Sequence, residues 1–479
     1  MRRYSNYPIR SISIHLAILL VAGAKGQSSI ASYNGLHAIV GARIEVGDGR
    51  TIEKGTVVIK DGLIVAVGAG ATAPRGADVL DGKGLTVYPG FIDAYTTKGY
   101  TAPPASAGRS PASDPNGDIA NYASAFMRET VRNGISPEIE AVHGLALSDD
   151  LLKSYQSSGF TTIMVAPSGG DISGMGSLVN LSGRSNRECV VLPEVGESFG
   201  FGGGGFGDGY PSSLLGHMAQ IRQTLYDANW YGAVQRSFDA GGAKRPPSDE
   251  SLRALQPVVT GRIPAVFDAE SSAQIGRALN LSNEFSLKLL IAGGSEGWKK
   301  VEEIKKTGAA VLLSLPFGVE PGSSPEKPEA GPPKEGSTPE KPPEPEVPAK
   351  VAERKRLYQE SVKNPSILVA AGVPVAWTTK GNASPSAFLE NLRKAVKAGL
   401  PEEAALKALT IDAAKIFGVD RQMGTVEVGK TANLVVTTTG FMDPQMKVKM
   451  LYVDGRKIDP LGSKPPAAVK PPPVGEDGN

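Results

Sequence analysis

Between residues 89 and 418 two textures alternate along the chain, and this alternation restricts its fold more than any other feature. Short apolar runs, among them TTIMVAPSGG, RIPAVFDAE, LKLLIAGG, AAVLLSLPF and VPVAWTTKG, end in small or polar residues. Between them lie stretches with helical apolar spacing: SAQIGRALNLSNEF, GWKKVEEIKKTG, SAFLENLRKAVKAG and PEEAALKALTIDAAKIFG. Strands that alternate with helices favour a parallel sheet, because a parallel crossover needs a dozen or so residues. At this length the pattern predicts an α/β fold, a TIM-like (β/α)8 barrel over 89–423. Chemistry in such barrels sits where the strands end.

The flanks have a different texture. HAIVGARIEVGDG and GTVVIKDGLIVAVGAG alternate β-branched with polar residues, and Asp48-Gly49 and Asp61-Gly62 mark tight turns. GTVEVGKTANLVVTTTG and VKMLYVDGRKI repeat that texture near the other end. Two β-rich flanks around one barrel predict a composite β-sandwich built from 36–88 and 424–460.

Burial alone must stabilise the chain. Of its 479 residues 40% are hydrophobic, and its single cysteine, Cys189, excludes an internal disulfide. Cys189 precedes Val190-Val191-Leu192 and reads as a buried apolar thiol. A net charge of +2 gives no electrostatic case for nucleic acid or an anionic membrane. Residues 1–26 have the layout of a secretory signal peptide: Arg2, Arg3 and Arg10, an apolar run from Ile12 to Ala24, then small residues. The expectation is export to the periplasm or beyond, with no stable membrane span. The segment 321–350, rich in Pro, Glu and Lys, reads as a disordered insertion in the barrel, and 461–479 as a disordered tail. Glu194 to Pro211 reads as a Gly-rich loop, either a lid or a connector.

The order of these parts resembles the amidohydrolase superfamily, in its imidazolonepropionase-like and prolidase-like branch. The resemblance rests on PGFIDA-x-T at Pro89 and on the closing block from Thr410 through Ala414, Gly418, Gly424, Val426, Gly429, Lys430, Ala432, Asn433, Leu434 and Val435, with one extra residue between Thr410 and Ala414. It implies a metal-dependent hydrolase of carbon–nitrogen bonds, with a mono- or binuclear centre at the barrel mouth. The implied ligands are a His-x-His pair after strand one, a carboxylated Lys or Glu on strand four, a His on strands five and six, and an Asp on strand eight. A divalent metal held there lowers the pKa of bound water to about 7, and the Asp handles the proton.

In this chain the implied positions carry other residues. The His-x-His pair falls on Tyr95 and Thr97, the strand-five His on Asp268, the strand-six His on Gly293 or Gly294, and the strand-eight Asp on Lys380. No counterpart of the strand-four ligand stands near Glu194 to Glu197. The four histidines, His15, His37, His143 and His217, all lie off the strand ends. Asp93, Glu270 and Arg222 are further pocket candidates. An ammonium where a metal-binding carboxylate is implied predicts a charge swap, with Lys380 filling the metal volume, pairing with Asp268, and Tyr95 nearby; the alternative is a Lys380 that points to solvent.

These residues predict a catalytically silent member of the superfamily with no cofactor, working as a ligand-binding barrel or as the partner subunit of an active paralogue, in a homo- or hetero-oligomer. The alternative is a hydrolase that uses zinc or another divalent metal on oxygen ligands, or no metal. A third reading is a scaffold acting through the Pro-rich insertion.

Overall fold

The computed structural model describes residues 35–102, 134–202, 211–242, 245–321 and 348–460. The expected signal peptide, most of the Pro-rich insertion, the tail and residues 203–210 of the Gly-rich stretch lie outside the described residues. Residues 348–350 open the helix Pro348–Ala370, so the insertion ends earlier than expected.

One sheet is built from both flanks of the barrel. Its N-terminal strands are β1 (His37–Glu45), β2 (Thr51–Lys60), β3 (Leu63–Gly68), β4 (Asp78–Asp81) and β5 (Thr86–Pro89). The barrel strands follow: β6 (Phe91–Thr96), β7 (Phe160–Val165), β8 (Ile172–Asn180), β9 (Val190–Phe199), β10 (Ala265–Ala269), β11 (Leu289–Gly293), β12 (Ala310–Ser314) and β13 (Val375–Thr378). The chain then returns to the first sheet with β14 (Leu434–Thr437), β15 (Val448–Val453) and β16 (Arg456–Ile458). That sheet runs β16-β15-β14-β5-β1-β2-β3, with β4 also on β1. The two flanks join where β14 pairs antiparallel with β5, Val435 opposite Tyr88. Ile39, Ile44, Val57, Val87, Leu434 and Tyr452 form an apolar core within it. The β-branched alternation seen in the sequence supplies this inward face.

The second sheet runs in sequence order from β6 to β13. Ile92, Met164, Leu178, Val266, Leu290 and Leu312 pack together in one layer, and Phe91, Phe199, Phe267, Ile291, Val311 and Trp377 belong to another that includes the helices. Each such side chain contributes about 1.5–3 kcal/mol on full burial. One departure from an all-parallel barrel stands out: β8 is antiparallel to both β7 and β9. The reason is connection length. Only Ala166 to Asp171 separate β7 from β8, with positive φ at Gly169, and such a link makes a hairpin and not a crossover. The Gly-rich reading of 194–211 is corrected as well, since Glu194 to Phe199 continue β9.

Side chains close the barrel between its first and last strands. Thr378 Oγ1 donates to the Tyr95 carbonyl, and the Thr379 N–H donates to Asp93 Oδ1 at 3.0 Å. The helical patterns map onto Ser272–Phe285, Val301–Thr307, Pro385–Lys397 and the pair Glu402–Leu409 and Ile411–Ile416. That pair breaks at Thr410, whose hydroxyl turns back to the Leu406 carbonyl.

Candidate functional site

The mouth is set by where β6, β10, β11, β12 and β13 end. Two residues past β13, Lys380 turns inward. Its Nζ lies 2.5 Å from Asp268 Oδ1 and 2.9 Å from Glu270 Oε1. Asp268 is in β10, and Glu270 follows its last residue. Glu270 also accepts from the Ser295 hydroxyl, from the Ser295 N–H at 3.3 Å and from the Ser314 hydroxyl at 3.0 Å. Ser295 follows β11 and Ser314 ends β12, so donors from the ends of three strands converge on one carboxylate.

The electrostatics follow from these contacts. Burial opposes charge on Glu270, but the Lys380 ammonium and the serine donors outweigh it and hold the carboxyl below its usual range. Burial likewise opposes charge on Lys380, and the two carboxylates overcome it and raise its pKa. Both groups are thus pushed away from neutrality in the direction of their charged forms. Tyr95 is buried, and desolvation with the nearby Asp268 carboxylate raises its phenol further. None of the three is tuned to exchange a proton near pH 7.

Gly293, at the implied strand-six histidine, has φ of +118°. A Cβ there would stand 2.6 Å from Glu270 Cδ and 2.7 Å from Oε1. The carboxylate thus fills the space that a side chain at this position needs. Thr97 is exposed beyond the end of β6.

Two pocket candidates lie elsewhere. Arg222 bonds Glu284 at 2.7 Å, near the C-terminal end of the helix Ser272–Phe285. That helix runs back from the end of β10, so its last turn lies at the opposite end of the barrel from Asp268. Helical spacing suggested a pocket lining for Arg222; its charge is spent in this bridge between helices. Asp93 is fully buried. It accepts from the Thr379 N–H, the Thr379 hydroxyl at 2.5 Å, the Tyr95 N–H at 3.2 Å and the Tyr155 hydroxyl at 3.0 Å. Its role is to fasten β6 to β13 and so to aim Lys380.

Sequence reasoning missed an imidazole–carboxylate pair. His217 Nδ1 lies 2.8 Å from Asp171, which also accepts the Gly202 N–H at 3.1 Å. Asp171 follows β7, Gly202 follows β9 and His217 sits in the first turn of the helix Leu214–Asp239, so the pair belongs to the mouth end. Its only signal in the sequence was a histidine just inside a helix start, with no spacing to link it to Asp171. His143 is exposed and His37 belongs to β1.

Residues 349–458 match the model of the amidohydrolase family. A stretch of 58 residues is 43% identical to N-acyl-D-aspartate deacylase of Alcaligenes xylosoxydans xylosoxydans, 12% of this chain and 11% of that protein, so the match spans about a tenth of the relative's length. An amidohydrolase structure from Thermotoga maritima MSB8 superposes with a TM-score of 0.68 at 22% identity, over 88% of this chain and 99% of that one. A Xaa-Pro dipeptidase with methionine in its active site gives 0.50 at 16% identity, over 88% and 100%. At these identities the structures speak for the fold. Together with the matched C-terminal segment, they show a fold like that of the amidohydrolase superfamily.

The divalent metal usual in that superfamily does not fit the residues at this mouth. The Lys380 ammonium already stands between the two carboxylates that a cation would use. A divalent ion about 4 Å from it would be repelled by roughly 8 kcal/mol at an effective dielectric of about 20. Among the described residues, no group of three or more His, Cys, Asp or Glu side chains is placed to hold a metal ion.

Proposed function

We propose that this protein is a non-hydrolytic member of the superfamily, a barrel that binds a ligand at its mouth or serves as the partner subunit of an active homologue. The observation that carries the reading is Lys380 bonded to both Asp268 and Glu270. The ammonium takes the place of the cation, and Glu270, lowered, and Lys380, raised, are both shifted away from proton exchange near pH 7. Export through residues 1–26 belongs to the same reading, supported by their sequence layout. Among the described residues no helix is long and apolar enough to cross a membrane.

The direct test is turnover. Purified protein, with and without added zinc, cobalt or manganese, is assayed on N-acyl amino acids and dipeptides. The reading expects no metal-stimulated hydrolysis above buffer; saturable, metal-dependent turnover would refute it. A second reading, hydrolysis without metal, is favoured by the His217–Asp171 pair, which orients an imidazole at the mouth end. It requires turnover that His217→Ala abolishes.

A further inference from the structure

Beside the Lys380 cluster the mouth has hydrogen-bonding capacity that the protein leaves unused. Of the two Asp268 oxygens Lys380 engages Oδ1 alone, and the Asp268 side chain keeps 42% of its surface exposed. Behind it stand Ser198 and Tyr95, each 3% exposed. Among the described residues Ser198 Oγ has no partner in good bonding geometry. It faces the Tyr95 phenol, which lies in the field of the Asp268 carboxylate. Ser198 is opposite Val266, whose side chain belongs to the barrel's inner layer, so its hydroxyl points inward. A buried hydroxyl left without a well-formed bond costs up to about 1–3 kcal/mol, part of which a ligand that bonds it would relieve.

The charge of this niche selects the ligand. Asp268 and Glu270 bring two carboxylates against the single ammonium of Lys380. An anion entering beside Asp268 meets net negative charge; a cation is drawn in. The free Asp268 oxygen, the Ser198 hydroxyl and the Tyr95 hydroxyl are three acceptors on one side of the mouth, and a primary ammonium carries three N–H donors.

We propose that the mouth is a binding site for a small primary ammonium compound, anchored on Asp268 Oδ2 with Ser198 and Tyr95 as its other acceptors. The assignment rests on the non-hydrolytic reading above and names the class of ligand for that site. Lys380 orients the Asp268 carboxylate while leaving its second oxygen to the ligand.

Isothermal titration calorimetry with n-propylammonium chloride tests this, with sodium propionate and n-propanol as matched probes. The expected result is saturable binding of propylammonium and none of the other two. Asp268→Asn should weaken binding at least tenfold and Ser198→Ala severalfold, with folding checked by circular dichroism. Lys380→Met should tighten it, because the ligand's ammonium then meets two carboxylates without a rival. Equal binding of propionate, or propylammonium binding unchanged in Asp268→Asn and Lys380→Met, overturns the proposal. So does a lack of binding to metal-free protein, which leaves the non-hydrolytic reading standing. Near-stoichiometric metal that propylammonium displaces would refute both.

Discussion

The Glu270 carboxylate occupies the space in which a side chain at Gly293 would stand: a Cβ on Gly293 would come within 2.6 Å of Glu270 Cδ. The carboxylate is held there by Ser295, Ser314 and Lys380, so it cannot swing aside without giving up several bonds. A histidine at this strand end and the Lys380 cluster therefore exclude one another. A histidine placed at this position alone would not make a metal centre.

Gly293→Ala is expected to destabilise the fold by about 1–3 kcal/mol, from overpacking against Glu270 and from a positive φ that alanine tolerates poorly. Chemical denaturation measures it. A change within about 0.5 kcal/mol would mean that the carboxylate is not fixed at that spot.

Lys380→Met leaves two carboxylates facing each other in a half-buried site, and should cost about 2 kcal/mol, below the 3–5 kcal/mol typical of a fully buried pair. The pH dependence has a definite sign. Glu270 is lowered in the fold, so its contribution is present above its unfolded pKa of about 4.3 and is lost as pH falls through the folded value. Lys380 is raised, so its contribution is present below its unfolded pKa of about 10.4 and is lost as pH rises through the folded value. The stability difference between wild type and Lys380→Met should therefore be flat from about pH 5 to 10 and shrink outside that window.

Asp93→Ala removes the acceptor shared by Thr379, Tyr95 and Tyr155 and leaves buried donors unpaired. A loss of about 3 kcal/mol is expected, and Tyr155→Phe should lose about 1 kcal/mol. Hydrogen exchange should rise first in β6 and β13. Uniform loosening of all barrel strands would deny Asp93 its role as the fastener.

Glu197, in β9, is fully buried, and among the described residues neither carboxylate oxygen has a partner in bonding geometry. Burial raises its pKa well above the usual range, with Glu138 adding to the effect. A raised acid stabilises the fold fully only below its unfolded pKa, and that contribution falls as pH rises toward the folded value. Glu197→Gln should match wild type near pH 4 and be the more stable of the two at pH 8, as thermal melts would show. A variant less stable at both pH values would mean that the carboxylate is paired.

Much of this was legible before any coordinates. The strand–helix alternation and the two β-rich flanks gave the barrel and the joined sheet, because period and turn chemistry are local properties. PGFIDA fixed the first strand, and small or polar residues at the run ends marked the strand ends of Asp268, Gly293 and Lys380. The antiparallel β8 was hidden, because VAPSGGDISG reads equally as a strand end before a helix or as a hairpin. Asp171 and His217 are far apart in the chain, and only the fold brings them together. Ser295 and Ser314 were missed for a similar reason: single serines at strand ends carry no pattern until a carboxylate is seen between them.

Lys380 stands between Asp268 and Glu270 where a divalent cation would otherwise bind, and metal binding tests this most directly. Purified protein is incubated with excess zinc, cobalt or manganese, passed through gel filtration and analysed for metal. The expected result is no metal above background in a folded protein. Near-stoichiometric bound metal, lost on substitution of Asp268 or Glu270, would contradict it.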